Sequence, residues 1–188
     1  MFRRLLLIAT LLALAACQSA QLDSDYDPNR DFAALQTWSW QEPAVQYRPD
    51  DPRLRSDLTE QRLRQAVAAQ LEQRGLRQAA ANAAADIRVQ AFLMVENRQQ
   101  QMATYYGSDM MSDRWGGHWA SPGYTEVRTL DYQVGTLQLD FLDRDGKLVW
   151  RGSAAQIVPR HAGSPQERAA SIQQTVAKIL AQYPPRGR

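Results

Sequence analysis

The residues best suited to chemistry crowd into one stretch of the chain. Between Gln99 and about Thr125 lie Tyr105, Tyr106, Met110, Met111, Trp115, His118, Trp119 and Tyr124, with Gly116 and Gly117 among them. Read as a loop, a segment of that length without structure of its own is functional or disordered. Exposed rings there would stack on sugars, enter a lipid interface or dock on a protein. The same rings folded back would instead close the second face of a sheet. Tyr105, Tyr106, Trp115, His118, Trp119 and Tyr124 are therefore the candidate interaction residues. Met110, Met111 and His118, with Asp109 or Asp113, combine soft sulfur and imidazole donors of the kind copper takes. Their spacing matches no metal motif, and no metal or cofactor is expected.

The other reactive groups read as structural. Asp143-Arg144-Asp145-Gly146 looks like a calcium loop. With Gly146 at its sixth position, however, Phe141 and Gly152 would fall at the first and twelfth, where oxygen ligands are needed. Asp23, Asp25, Asp27 and Asp31 form an acidic cluster, which on an edge segment serves solubility and blocks edge pairing. Arg53, Arg55, Arg62 and Arg64 give a basic end to a helix, either solvated or aimed at lipid phosphates. No nucleophile elbow, zincin motif, phosphate-binding glycine loop or dinucleotide fingerprint occurs. His161 reads as a loop residue, and the expectation is a protein that is not an enzyme. A carboxylate pair assembled by the fold stays open.

One thiol exists in the chain, Cys17. Arg3 and Arg4 precede an apolar run, Leu5 to Leu14, and Ala15-Ala16 stand before the cysteine. This is the pattern of a secretory signal peptide, too short for a membrane span of ~20 residues. Leu14-Ala15-Ala16-Cys17 resembles the lipobox of bacterial lipoproteins. That resemblance implies removal of residues 1–16, diacylglycerol on the thiol and a further acyl chain such as palmitate on the freed amine. Two or more chains anchor stably where one does not. Gln18, in place of the aspartate that signals inner-membrane retention in enterobacteria, implies the outer membrane, facing the periplasm. Residues 17–24 would be the lipidated end and a short tether of roughly 25 Å at ~3.6 Å per residue.

That cut alters the charge. The whole chain of 188 residues carries 22 basic and 20 acidic side chains. Taking 16 residues away leaves 172, and losing Arg3 and Arg4 leaves 20 of each sign. A neutral chain lacks the basic excess of a nucleic-acid binder, and one lipidated cysteine leaves no disulfide framework.

Residues 25–185 read as one α+β domain. Asp23 to Pro28 is an extended segment closed by a turn, and Thr37-Trp38-Ser39-Trp40 a short strand with both rings on one face. Pro43, Pro49 and Pro52 punctuate a connection. Asp57 to Arg74 is a helix with Leu63, Val67 and Leu71 on one stripe, an Asp57/Glu60 cap and Gly75 after its end. Ile87, Val89, Ala91, Leu93 and Val95 alternate in a strand from Asp86 to about Arg98. Leu130, Tyr132 and Val134 alternate on even positions and Leu137, Leu139 and Phe141 on odd ones, which predicts a bulge or bend at Gly135. Asp143 to Lys147 is a hairpin turn, and Leu148 to about Val158 the return strand. Ser164-Pro165-Gln166-Glu167 caps a last helix with Ile172, Val176, Ile179, Leu180 and Tyr183 on its apolar face. The expected architecture is an antiparallel sheet of about four to five strands with two amphipathic helices packed on one face.

Several of these segments together resemble a known family. They are Asp25-Tyr26-Asp27-Pro28 with Phe32 and Trp38/Trp40, Gly135-Thr136-Leu137, Gly146 to Gly152, and Ile172 to Pro185. The combination is similar to the domain of unknown function 4136 family of bacterial envelope lipoproteins, over about residues 22 to 185. The resemblance implies an α+β envelope lipoprotein and brings no activity or catalytic residue. The middle loop departs from relatives in holding Met and Asp. The expected function is a lipid-anchored outer-membrane lipoprotein of the cell envelope whose periplasmic domain binds or scaffolds, with the membrane and an envelope protein or glycan as partners. A glycan- or lipid-binding module using the aromatic loop is the alternative, and a hydrolase with an unrecognised site the remote one.

Overall fold

The alternation of apolar residues along the chain builds one mixed sheet. The computed structural model describes residues 20–80, 83–107, 110–112, 118–120, 123–159 and 163–185. The strands are β1 (Gln21–Tyr26), β2 (Thr37–Arg48), β3 (Arg77–Gln78), β4 (Ile87–Tyr106), β5 (Met110–Ser112), β6 (His118–Ala120), β7 (Tyr124–Leu142) and β8 (Leu148–Ile157). The helices are α1 (Asp57–Glu72) and α2 (Pro165–Leu180). Six strands form one sheet in the order β1-β8-β7-β4-β2-β3, and β5 pairs with β6 in a separate two-stranded piece.

The fold is α+β, but the expected sheet of four to five antiparallel strands is corrected to a mixed sheet of six. β4 runs antiparallel to β7, β7 to β8 and β8 to β1, while β2 is parallel to both β4 and β3. The cause is α1. A helix between two neighbouring strands is a crossover, and crossovers deliver parallel strands where hairpins deliver antiparallel ones. β2 also runs on to Arg48 rather than ending at Trp40. Its register shifts between Trp40 and Val45, and Pro43, which has no N–H to give a ladder, stands in that irregularity. Gln90 donates to the Pro43 carbonyl at 3.1 Å across the gap.

Both helices pack on one face. Leu63, Val67 and Leu71 of α1 and Val176, Ile179 and Leu180 of α2 are fully buried against Trp38, Ile87, Val89, Leu139, Phe141 and Trp150. The cap of α1 is Ser56 rather than the expected Asp57: Ser56 is extended, and its hydroxyl accepts from the Thr59 N–H at 3.3 Å. At the other end Gly75 adopts φ 85°, with Leu76 N–H donating to Leu71 and Gly75 N–H to Glu72, the paired bonds of a Schellman ending. The Ser164/Glu167 capping box with Pro165 at the first turn forms as the sequence predicts. Tyr183, after α2, is the hub of an aromatic cluster. Its ring meets Phe141 at 4.9 Å, Trp150 at 5.5 Å and Phe32 at 5.8 Å. Burial pushes its hydroxyl up to a pKa of about 12.

Two further corrections concern the ends of elements. β1 begins at Gln21 and pairs with β8, so residues 21–24, expected in the tether, are strand. Its alternating side chains are exposed on both faces, which hides a strand from a hydropathy reading. No bulge forms at Gly135: β4 and β7 pair without a shift from Arg88/Leu142 to Tyr106/Tyr124. What changes at Gly135 is the face carrying most of the apolar residues.

Asp86 ties the strand starts together. One carboxylate oxygen accepts from the Thr37 hydroxyl at 2.8 Å and from the Thr37 and Gln36 N–H groups, and the other from Arg144 at 2.7 Å. These bonds, led by Thr37, hold its pKa at about 2. A lowered carboxylate pKa stabilises the fold at pH above the ordinary value and loses that contribution as pH falls through the folded one. Asp86→Asn is therefore expected to lower Tm at neutral pH, with the gap to wild type closing between about pH 4 and pH 2; a gap of constant size would contradict it. Gly152 is packed so closely that an added Cβ would strike the Trp150 ring and lie 2.8 Å from Ile179. Gly152→Ala should cost about 1–3 kcal/mol by overpacking, read as a loss in a chemical-denaturation midpoint; an unchanged midpoint would show that the core yields there.

Candidate interaction site on the β4–β7 arm

Strands β4 and β7 outrun the sheet that holds them. β2 leaves β4 at the Arg48/Met94 pair, and β8 leaves β7 at Val134/Ile157. Beyond Glu96 and Val134 the two strands continue alone to Tyr106 and Tyr124. At ~3.3 Å per residue this arm is roughly 33 Å long. Among the described residues no other strand pairs with either of its outer edges. The expected loop from Gln99 to Thr125 is thus corrected: most of it is ladder, and its alternation was masked by polar residues such as Gln99, Gln100 and Gln101.

The arm carries its apolar residues exposed. In the body, odd-numbered residues of both strands, such as Leu93, Leu137 and Leu139, face the helices. Along the arm Tyr106, Tyr124, Met102 and Leu130 are even-numbered and occupy the opposite face, with Tyr124 64% and Met102 49% exposed. Tyr106 and Tyr124 stack at 5.0 Å, and the Tyr106 hydroxyl donates to Glu126 at 3.3 Å. Glu126 also accepts from Arg128 at 2.7 Å, and Glu96 from Arg98 at 2.9 Å. Tyr105 and Val127 lie on the other face, 67% and 58% exposed.

Backbone direction follows from one bond. Val158 N–H donates to the Gln133 carbonyl at 2.8 Å. A strand residue points both its backbone groups to one side, and sides alternate. Odd residues of β7 therefore turn theirs to the open edge, and even ones to β4.

Of the six candidate residues, Tyr105, Tyr106 and Tyr124 sit together near the arm's end. The backbone of His118 and Trp119 lies in β6, opposite Ser112 and Met111 of β5. Trp115, Asp109, Asp113, His161 and Cys17 lie outside the described residues. Among the described residues no cluster of His, Cys, Asp and Glu could hold a metal ion. Met102, Glu126, Val127, Arg128 and Leu130 were missed; the even-numbered alternation that includes Leu130 was the available signal.

Several other charged groups are paired within the chain. Arg53 pairs with Asp51, Arg55 with Asp50 and Arg64 with Glu60, so those helix-end cations meet their own carboxylates. Asp27 and Asp31 accept from the backbone of Asn29 and Ala33. An open depression lined by Asp31, Asp86, Asp143 and Asp145 would suit a carboxylate pair. Asp86, near pKa 2, remains an acceptor at neutral pH, and Asp143 holds the Asp145 and Lys147 N–H groups of the turn. On the helix face near Gly135, Tyr47, Leu54, Leu63, Leu93, Leu137 and Ile172 line an apolar cavity of about 200 Å³.

The family profile of a domain of unknown function, DUF4136, matches residues 22–185. The chain belongs to that family. A DUF4136 family protein from Bacteroides thetaiotaomicron has the same fold: TM-score 0.51, 16% identity, with 89% of this chain and 97% of that one covered. A PDZ domain protein from Parabacteroides distasonis gives 0.48 at 14% identity over 95% of this chain, which spans 40% of that longer one. A subunit of the PelC dodecamer from Paraburkholderia phytofirmans gives 0.44 at 13% identity, over 86% of this chain and 95% of that one. No curated protein matches.

In this DUF4136 chain, amide exchange followed by NMR should separate the two edges of the arm. In dilute, dissociated protein the N–H groups of Glu126, Arg128 and Leu130 are expected to be protected and those of Thr125, Val127 and Thr129 to exchange freely. Equal protection along the strand would contradict the assigned direction.

Proposed function

We propose that this protein is a lipid-anchored outer-membrane lipoprotein of a Gram-negative cell envelope, and that its periplasmic domain binds or scaffolds rather than catalyses. The observation that carries the binding role is the arm: a two-stranded ladder, open on both edges, with tyrosines exposed on a rigid, helix-backed base. An isolated two-stranded hairpin is marginal in water, so an arm of this length is most useful when something covers it. The proposed anchor at Cys17 agrees with the start of β1. Three residues separate Cys17 from Gln21, a reach of about 14 Å at ~3.6 Å per residue, so the sheet would lie against the lipid surface. No described helix is long and apolar enough to cross a membrane.

Apart from a wide, open cleft of about 930 Å³ at the base of the arm itself, lined by Arg98, Gln100, Leu130, Tyr132 and Ile157, a ligand-binding reading is favoured by the apolar cavity beside Gly135. Its volume of about 200 Å³ falls below the ~300–1,000 Å³ of sites that enclose a small molecule, and the arm is the larger unmatched surface. Replacing Cys17 by Ser should move the protein from the membrane fraction to the soluble periplasm. Continued fractionation with outer membranes would refute the anchor. A photo-crosslinker at Tyr105 in the anchored protein should capture an envelope component, and a uniform absence of adducts would refute the binding role.

A further inference from the structure

The open edge of β7 is complementary to itself. From Tyr124 to Leu130 the chain reads Tyr-Thr-Glu-Val-Arg-Thr-Leu. Laid antiparallel against a second copy with Val127 opposite Val127, it sets Glu126 opposite Arg128, Thr125 opposite Thr129 and Tyr124 opposite Leu130. Every pairing is of a kind that stabilises adjacent strands: opposite charges, paired threonines, aromatic with aliphatic. Because a two-fold axis makes each contact twice, self-complementarity is what an isologous interface requires.

The backbone agrees with this register. Odd residues of β7 turn their N–H and C=O groups to the open edge, as the Gln133–Val158 bond fixes. Thr125, Val127 and Thr129 would then face Thr129, Val127 and Thr125 of the second copy as hydrogen-bonded pairs, exchanging about six main-chain bonds. The neighbouring registers are disfavoured. Sliding by two pairs in one direction sets Glu126 against Glu126, and in the other Arg128 against Arg128, and like charges directly opposite destabilise. The flanking residues also leave room: Val127 is 58% exposed and Leu130 44%.

We propose that the β7 edge of the arm is a homodimer seam, pairing antiparallel with the same segment of a second copy about a two-fold axis at Val127. Two marginal ribbons thereby become one four-stranded sheet, β4-β7-β7-β4, in which a Tyr124–Leu130 pair lies at each end of the seam with Glu126 and Arg128 between them on the same face. Glu126 and Arg128, already paired within each chain at 2.7 Å, become an alternating quartet. This rests on reading the arm as a binding surface and names its partner.

The test uses the full chain, extracted in mild detergent and examined by sedimentation, with a photo-crosslinker at Thr129 in intact cells. Wild type should sediment as a dimer and give an adduct of twice the chain mass. Glu126→Lys and Arg128→Glu should each weaken the dimer about tenfold, and the double exchange should restore it. Val127→Pro should abolish the dimer while leaving the arm's own ladder intact, because that N–H points outward; unchanged thermal melting shows that the fold survives. Single reversals without effect, or a double exchange no better than either, would overturn the seam. A crosslink at Thr129 to a different protein would overturn self-pairing while sparing the binding role of the arm. Monomers that capture nothing from Thr129 or Tyr105 would overturn both.

Discussion

A helix rises about 1.5 Å per residue and a strand about 3.3 Å, and this difference sets the shape of the molecule. α1 and α2 have 16 residues each, roughly 24 Å, whereas β4 has 20 and β7 19, both more than 60 Å. Two such helices lying along the sheet cover less than half of those strands. The uncovered remainder can fold back, lengthen the sheet or project, and here it projects. All the fully buried large side chains, Trp38 and Trp150 foremost, lie in the body under the helices, so the arm contributes surface rather than core.

The change of apolar phase at Gly135 marks where that cover gives out. Inside the body the odd residues of β7 meet helices; along the arm most of the apolar side chains, Met102, Tyr106, Tyr124 and Leu130, are on the even face with no helix above them. The body is held independently of the arm. Tyr183 and its ring neighbours pin α2 to β7 and β8, and Asp86 pins the start of β2 to the β7–β8 turn. On the face away from the helices, buried Asp140 is satisfied by Arg151 from β8 and by Gln138. A base so fixed can present the arm in one orientation.

Much of the body was legible in the sequence because its signals are local. The α2 capping box, Gly75 behind α1, the Asp143–Lys147 turn and the one-face tryptophans depend on residues a few positions apart. Parallel pairing of β2 with β4 was not legible, because Pro43 broke the strand pattern and the crossover that decides direction spans α1. The arm was hidden for a different reason. Alternation identifies a strand by its buried face, and the arm has none: from Gln99 to Gln101 and from Thr125 to Thr129 no side chain is buried whichever way it points, and only Glu126 is half-buried. Its aromatic residues were recognised as the unusual feature, while their ladder and the complementarity of residues 124–130 emerged only from register.

If the body is complete without the arm, the two should be separable. Joining Arg98 to Tyr132, a pair that bonds across the ladder, through an Asn-Gly turn removes the outer arm and leaves every helix-covered strand in place. Thermal unfolding of that shortened chain, compared with the whole one, tests the division most directly. A single cooperative transition within a few degrees of the full-length protein, with self-association lost, is the predicted result. A collapse of the body's stability, or association unchanged by the deletion, would contradict it.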